Sequence, residues 1–177
     1  MNKALLVDRD GVLLESVPDY VKSIEEIRFI PGVEAAVARL WSKGYILCVV
    51  TNQAGIGKKL YNIETLQEIH FYIQEKFYEH GRGIVRWYVC PHTVEDKCSC
   101  RKPSPALLQQ AIQEFTLDPS HTWMVGDKKS DIEAGKKAGC KTCIVKTGEG
   151  QKQIFSETNK PDLVVNSFVD FVDTMLV

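Results

Sequence analysis

Six short apolar runs alternate along this chain with amphipathic segments of helical period, and that alternation restricts the fold more than any other feature. The runs are "ALLV" (4–7), "YILCVV" (45–50), "IVRWYV" (84–89), "TWMV" (122–125), "TCIV" (142–145) and "DLVV" (162–165). Near-continuous apolar runs of this length suit parallel strands covered on both faces, with the sixth at an edge. Between them, Val33, Ala36, Val37, Leu40 and Trp41 recur at helical spacing before Gly44. Leu66, Ile69, Ile73 and Phe77 form a second stripe behind the candidate cap Asn62. Leu107, Leu108, Ala111, Ile112 and Phe115 form a third, with Ser104 as cap and Pro105 opening the helix. A fourth helix is expected from a Ser130 cap to Gly139, and a fifth carries Phe168, Phe171, Val172 and Met175. Strand–helix alternation predicts an α/β protein: a three-layer, Rossmann-like open parallel sheet with helices on both faces. With 177 residues, one domain spanning 1–177 is expected.

In such a sheet, ligands bind beyond the carboxyl ends of the strands. Polar side chains converge there: Asp8 and Asp10 after the first strand, Thr51, Asn52 and Gln53 after the second, Asp127, Lys128 and Asp131 after the fourth. In "VDRDG" one carboxylate suits a nucleophile and its neighbour a proton donor and acceptor. Together with Asp127 they offer oxygen ligands for Mg²⁺. Taken alone, the acid pair is equally a polar turn. "TNQAG" offers hydrogen-bond donors to a phosphate, and "CRKP" brings Arg101 and Lys102 to the same edge.

After the third strand comes "CPHTVEDKCSC". Cys90, His92, Cys98 and Cys100 supply three thiolates and an imidazole, the donor set of a closed tetrahedral zinc site. No ligand position is left for substrate, so this zinc is expected to be structural. It would hold Arg101 and Lys102 without an ordering cost at each encounter. A redox thiol pair would need no histidine. Cys48, Cys140 and Cys143 read as core residues, and His70, His80 and His121 show no catalytic partners.

Formal net charge is -1, which gives no ground for nucleic-acid binding. The amino terminus lacks a signal-peptide pattern, and no stretch reaches the roughly 20 apolar residues of a spanning helix. A cytoplasmic protein without membrane association, with thiols free for metal rather than disulfides, is expected.

The order "DRDG", "TNQ", "RKP", "GDKxxD" resembles the haloacid dehalogenase superfamily of phosphatases across nearly the whole chain. The cysteine loop further resembles the branch holding heptose-bisphosphate and histidinol-phosphate phosphatases. That resemblance implies a Mg²⁺-dependent phosphomonoesterase with no large cap domain, acting on a small phosphorylated sugar; a monomer is expected. Asp8 would form an aspartyl-phosphate, and Asp10 would be the general acid/base. Asp8, the Asp10 carbonyl and Asp127 would hold Mg²⁺, with Asp131 behind them. Thr51 and Lys102 would steady the phosphoryl group. Arg9, Asn52, Gln53, Arg101 and Lys128 would contact substrate.

"GDK", the C-terminal "KTGEG…DLVVNSFVDFV" and "YV" (20–21) ahead of "FIPGV" resemble the heptose-bisphosphate enzymes, which implies the 7-phosphate of D-glycero-D-manno-heptose 1,7-bisphosphate as substrate; Lys102, Arg101, Lys58 and Lys59 also offer charge for two phosphates. Histidinol phosphate is the alternative, suggested by the short gap inside the cysteine loop. A zinc-stapled protein that binds a phosphometabolite without hydrolysing it is the reading from a different class. Val12 and Leu14 depart from the branch's pattern near the expected substrate loop, which implies altered sugar contacts.

Overall fold

The computed structural model describes residues 3–79 and 86–176. Six strands, β1 (Lys3–Val7), β2 (Tyr45–Asn52), β3 (Arg86–Cys90), β4 (Trp123–Gly126), β5 (Lys141–Val145) and β6 (Leu163–Val165), form one sheet. All are parallel, in the order β3-β2-β1-β4-β5-β6. This is the doubly wound order, in which the strand sequence reverses direction between β1 and β4. The expected strand 84–89 is observed over Arg86–Cys90, and its first two residues lie outside the described residues, as does His80.

Period-two alternation splits the core between the two faces. Leu5, Val7, Leu47, Val49 and Val125 point to one side. There they meet α1 (Val33–Ser42), α2 (Ile63–Tyr78) and α5 (Phe168–Met175) through Leu40, Ile73 and Phe171. Leu6, Cys48, Val50 and Met124 point to the other, against Leu108 and Ala111 of α3 (Ala106–Glu114) and Ala134 of α4 (Lys129–Lys137). Truncating a fully buried residue such as Leu6 to Ala should cost about 2–5 kcal/mol. Cys48, Cys140 and Cys143 are buried core residues, as expected.

Three local expectations need adjustment. Ser130 lies inside α4 rather than capping it; the helix opens at Lys129, and the Asp131 carboxylate accepts the Lys128 N–H at 2.9 Å. α3 begins at Ala106, one residue after Pro105. Val12 and Leu14 are fully buried among core side chains, so their departure from the branch pattern does not reach the substrate cavity. Asn62 does cap α2, accepting from the Thr65 N–H at 2.9 Å.

Between β1 and α1 the chain carries one helical turn (Ile24–Glu26) and isolated bridges from Leu14 to Asp10 and to Phe29, with no large cap. The carboxyl end of the sheet is therefore left open at the point where strand order reverses.

Candidate active site

Asp8 leaves β1 at that reversal, its N–H bonded to the Val125 carbonyl of the neighbouring strand at 2.9 Å. Asp127 follows β4 directly, and Asp131 sits one helical turn later. One carboxylate oxygen of each of the three lies within 4.8 Å of the others. All three are buried. Lys102 comes from the end of the loop that follows β3, against the carboxyl end of β2. Its Nζ stands 3.2 Å from Asp8 Oδ1 and 2.7 Å from Asp131 Oδ1, and it donates to the Val50 carbonyl at 2.6 Å.

Burial pushes the Asp8 carboxyl up, but the charges of Lys102 and Lys128 and the Arg9 N–H outweigh it and hold Asp8 below the usual carboxylate range. Asp8 is thus held as a buried, ionised carboxylate. Burial likewise works against the Lys102 ammonium, and the Asp131 and Asp8 carboxylates more than offset it, keeping Lys102 charged. Asp127 goes the other way. Burial, then the nearby Asp8 charge, pushes its carboxyl up to about 7. Its Oδ2 accepts from the Glu149 N–H at 2.9 Å, while its buried Oδ1 has no hydrogen-bond partner.

An orphaned carboxylate oxygen facing a second carboxylate is the signature of a place for a cation. Three carboxylates against the ammonium groups of Lys102 and Lys128 leave one negative charge, and a divalent cation reverses that sign. The donor atoms are all oxygen, which suits Mg²⁺. Gly11 and Gly148 close over this spot. A Cβ on either would fall 2.2 or 2.3 Å from Asp127 Oδ2, and both have positive φ (84° and 59°).

Asp10 is held from beneath. Arg9 Nε donates to its Oδ1 at 3.1 Å and Arg9 Nη2 to its Oδ2 at 3.0 Å, while Gln53 Nε2 donates to Oδ2 at 2.9 Å. Gln53 also donates to Thr51 Oγ1 at 2.8 Å and accepts from Tyr61 Oη at 2.6 Å. Arg9 and Gln53, expected to touch substrate, are instead fully buried. The Asp10 carboxylate and its neighbours draw both inward, so they support the acid rather than line the cavity. Asn52 reaches the cavity, but its amide is engaged with Lys102 in both directions. Its Nδ2 donates to the Lys102 carbonyl and its Oδ1 accepts the Lys102 N–H, each at 3.1 Å. It thereby ties the lysine's backbone to β2. Thr51 lines the cavity floor as expected.

The floor opens into a cavity of about 680 Å³. One wall is the segment from Ser16 to Val21; the other is the cysteine loop, through Thr93, Val94, Lys97 and Arg101. Lys58 stands at the rim, 5.4 Å from the Tyr20 ring centroid. Lys59, expected beside it, turns instead into a separate depression with Leu60 and Ile63. Lys128 and Glu149 close the cavity on the α4 side.

In the cysteine loop, Cys100 Sγ lies 3.2 Å from Cys90 Sγ, 3.6 Å from Cys98 Sγ and 3.3 Å from His92 Nδ1. Cys90 Sγ lies 3.6 Å from both Cys98 Sγ and His92 Nδ1. Ligands about 2.0–2.3 Å from a central zinc would stand roughly 3.5–3.8 Å apart, so this cluster fits a closed zinc shell. Arg101 Nη1 donates to the His92 carbonyl at 3.2 Å, which fastens the arginine to the staple.

A buried ionised acid beside a cation site, a second acid two residues on and a lysine bridging to the cluster together define a hydrolase of the haloacid dehalogenase class. Comparison with known proteins refines this. The HAD-hydrolase-like family matches residues 99–171. The chain is 40% identical to the D-glycero-beta-D-manno-heptose-1,7-bisphosphate 7-phosphatase of Haemophilus ducreyi, over 96% of each chain. It is 34% identical to the enzyme of that name from Pseudomonas aeruginosa, over 99% of each. The crystal structure of D,D-heptose 1,7-bisphosphate phosphatase from B. bronchiseptica, complexed with magnesium and phosphate, superposes with a TM-score of 0.92 at 30% identity, covering 98% of each chain. The chain belongs to the D-glycero-beta-D-manno-heptose-1,7-bisphosphate 7-phosphatase family within the HAD-like hydrolases.

Proposed function

We propose that this protein is a Mg²⁺-dependent phosphatase that removes the 7-phosphate of D-glycero-D-manno-heptose 1,7-bisphosphate through an aspartyl-phosphate on Asp8. The observation that carries this reading is the contact of Lys102 Nζ with Asp8 Oδ1 at 3.2 Å, beside the orphaned Asp127 Oδ1, on the floor of the cavity. The relatives that share its sequence act, by name, on this bisphosphate, and they give the histidinol-phosphate alternative no support.

In this reading Asp8 Oδ attacks phosphorus as the bond from phosphorus to the sugar oxygen breaks. Asp10 gives its proton to that departing oxygen. Arg9 and Gln53 both load Oδ2 of Asp10, which leaves Oδ1, with one donor, as the oxygen free to carry the proton. Asp10 then takes a proton from water, whose oxygen attacks the phosphorus, and inorganic phosphate leaves as the Asp8 carboxylate is restored. Thr51 and Lys102 hold the phosphoryl oxygens throughout. Asp8, the Asp10 carbonyl and Asp127 would hold a magnesium ion, whose charge would offset that of the phosphoryl oxygens. Asp131 would stand behind this set, with Lys102 Nζ 2.7 Å from its Oδ1 and the Lys128 N–H donating to its Oδ2.

The second phosphate of the substrate finds counter-charge at the other end of the cavity, from Lys58, Lys97 and Arg101. Zinc at Cys90, His92, Cys98 and Cys100 fixes that wall. The proposed site is built from residues of one chain. Reduced thiols at the zinc site fit a cytoplasmic setting, and among the described residues no helix is long and apolar enough to cross a membrane.

Phosphate release assayed over the heptose bisphosphate, its 1-phosphate and histidinol phosphate tests the assignment. A preference of about 100-fold or more in kcat/KM for the bisphosphate is expected. Binding of the bisphosphate with no phosphate release would instead mark a non-catalytic binding protein.

A further inference from the structure

His70 is a buried histidine that the mechanism above does not use. It lies on α2 and is 8% exposed. One face of its ring stacks on Trp87, centroids 3.7 Å apart and planes 11° from parallel. Its Nε2 stands 3.2 Å from Arg9 Nη1. A guanidinium has five N–H donors, no acceptor and a permanent charge, so each unpaired edge is costly when buried. Arg9 is fully buried. Its Nε and Nη2 edge goes to Asp10, its Nη2 goes also to Gln53 Oε1 at 3.0 Å, and Nη1 has His70.

We propose that His70 is a positioning residue for Asp10: its unprotonated Nε2 accepts from Arg9 Nη1 and fixes the rotation of the guanidinium that presents Nε and Nη2 to the Asp10 carboxylate. This rests on the reading of Asp10 as general acid/base. The surroundings support the required state of the ring. Burial, then the Arg9 charge, lowers the imidazole to about 2, so it is neutral with its proton on Nδ1. Tyr61 serves Gln53 in a parallel way: burial raises its phenol to about 12, so it remains an O–H donor to Gln53 Oε1. The buried side of Asp10 is thus a set of fixed donors whose orientation is set from α2 and from Tyr61.

The test separates acceptor from packing roles. His70→Phe keeps a ring against Trp87 and removes the acceptor; His70→Gln keeps an acceptor and removes the ring. A proton donated to the leaving oxygen matters for a sugar alkoxide and little for p-nitrophenolate. With His70→Phe, kcat on an alkyl phosphate should therefore fall about 10- to 100-fold. Its KM should stay within about twofold, and the first-turnover burst from p-nitrophenyl phosphate should keep a near-native rate. His70→Gln should restore most of kcat.

Equal losses on both substrates, or a His70→Gln variant as impaired as His70→Phe, overturn the proposal. Asp10→Asn, run beside them, tells its failure from that of the underlying reading. If Asp10→Asn shows the leaving-group dependence and His70→Phe does not, only the role of His70 is wrong. Should His70→Phe not fold, nitrogen NMR of the native imidazole decides the matter. A bare Nε2 with Nδ1–H is expected, and a protonated Nε2 contradicts the role.

Discussion

Lys102 Nζ lies 2.7 Å from Asp131 Oδ1, closer than to Asp8 Oδ1, the proposed nucleophile, at 3.2 Å. The lysine is thus anchored by Asp131 and lent to Asp8. Lys102→Met should lower kcat about 10²- to 10³-fold, as expected for losing one donor to the transferring group. It also strands two buried carboxylates, at a cost of about 3–5 kcal/mol in the metal-free protein. Asp131→Asn should reduce kcat less, by about tenfold, because Lys102 keeps Asp8 as a partner but loses its fixed position. Steady-state kinetics and denaturant unfolding read both effects. Equal kcat losses for the two variants would show that Asp131 does more than anchor.

The raised Asp127 carboxyl makes metal binding pH-dependent. Its folded value of about 7 lies above the reference 3.8, so its ionisation opposes folding. This contribution is absent at low pH and grows as pH rises from 3.8 to about 7 in the metal-free protein. Mg²⁺ binds the ionised form and relieves that cost. The rise in Tm on adding Mg²⁺ should be larger at about pH 8 than at about pH 6. Asp127→Asn should flatten that difference. An Mg²⁺ effect independent of pH in the native protein would place the metal elsewhere.

Gly148 contributes space. A Cβ there would come within 2.3 Å of Asp127 Oδ2 and 2.7 Å of the Gly11 Cα, at φ 59°. Gly148→Ala should weaken Mg²⁺ affinity by about tenfold or more, with the sheet unchanged, since the loop lies outside the core. Calorimetric titration with Mg²⁺ measures this. Native affinity in that variant would mean that the loop yields and does not shape the site.

Zinc should be present at one equivalent in protein purified without chelator. Its removal, or Cys98→Ala, should lower Tm and raise KM for the bisphosphate more than it lowers kcat. The staple holds Arg101 and the Lys97 wall, whereas Lys102 is also tied to Asn52 and Val50. Metal analysis with parallel kinetics checks both. An unchanged KM in zinc-free protein would show that the loop keeps its shape without the ion.

Asp8, Thr51, Lys102 and Asp127 were legible in the sequence because a parallel sheet delivers whatever follows each apolar run to one edge. The cluster of Cys90, His92, Cys98 and Cys100 was legible because donor type and close spacing suffice. The supports were not. Arg9 lies between two acids in an exposed-looking turn, and its burial depends on His70, sixty-one residues on, and on Trp87 from another strand. Gln53 and Asn52 read as donors at a strand end, yet β2 runs on through Thr51 and Asn52 to pair with Val89 and Cys90, which turns those side chains toward the protein's own groups. Gly148 and the Glu149 N–H come from a stretch with no periodicity, so nothing local marks their approach to Asp127. In each case the deciding partner is distant in sequence.

The central claim is that Asp8 carries the phosphoryl group. Acid-quenched mass spectrometry of the first turnover tests it most directly. With the heptose bisphosphate and Mg²⁺, the peptide containing Asp8 should gain one phosphoryl group at a rate no slower than phosphate release. Asp8→Asn should show neither the adduct nor turnover while retaining the native circular-dichroism spectrum. Phosphate released at the native rate by Asp8→Asn, or a first turnover with no phosphorylated peptide under conditions that preserve acyl phosphates, would contradict the account.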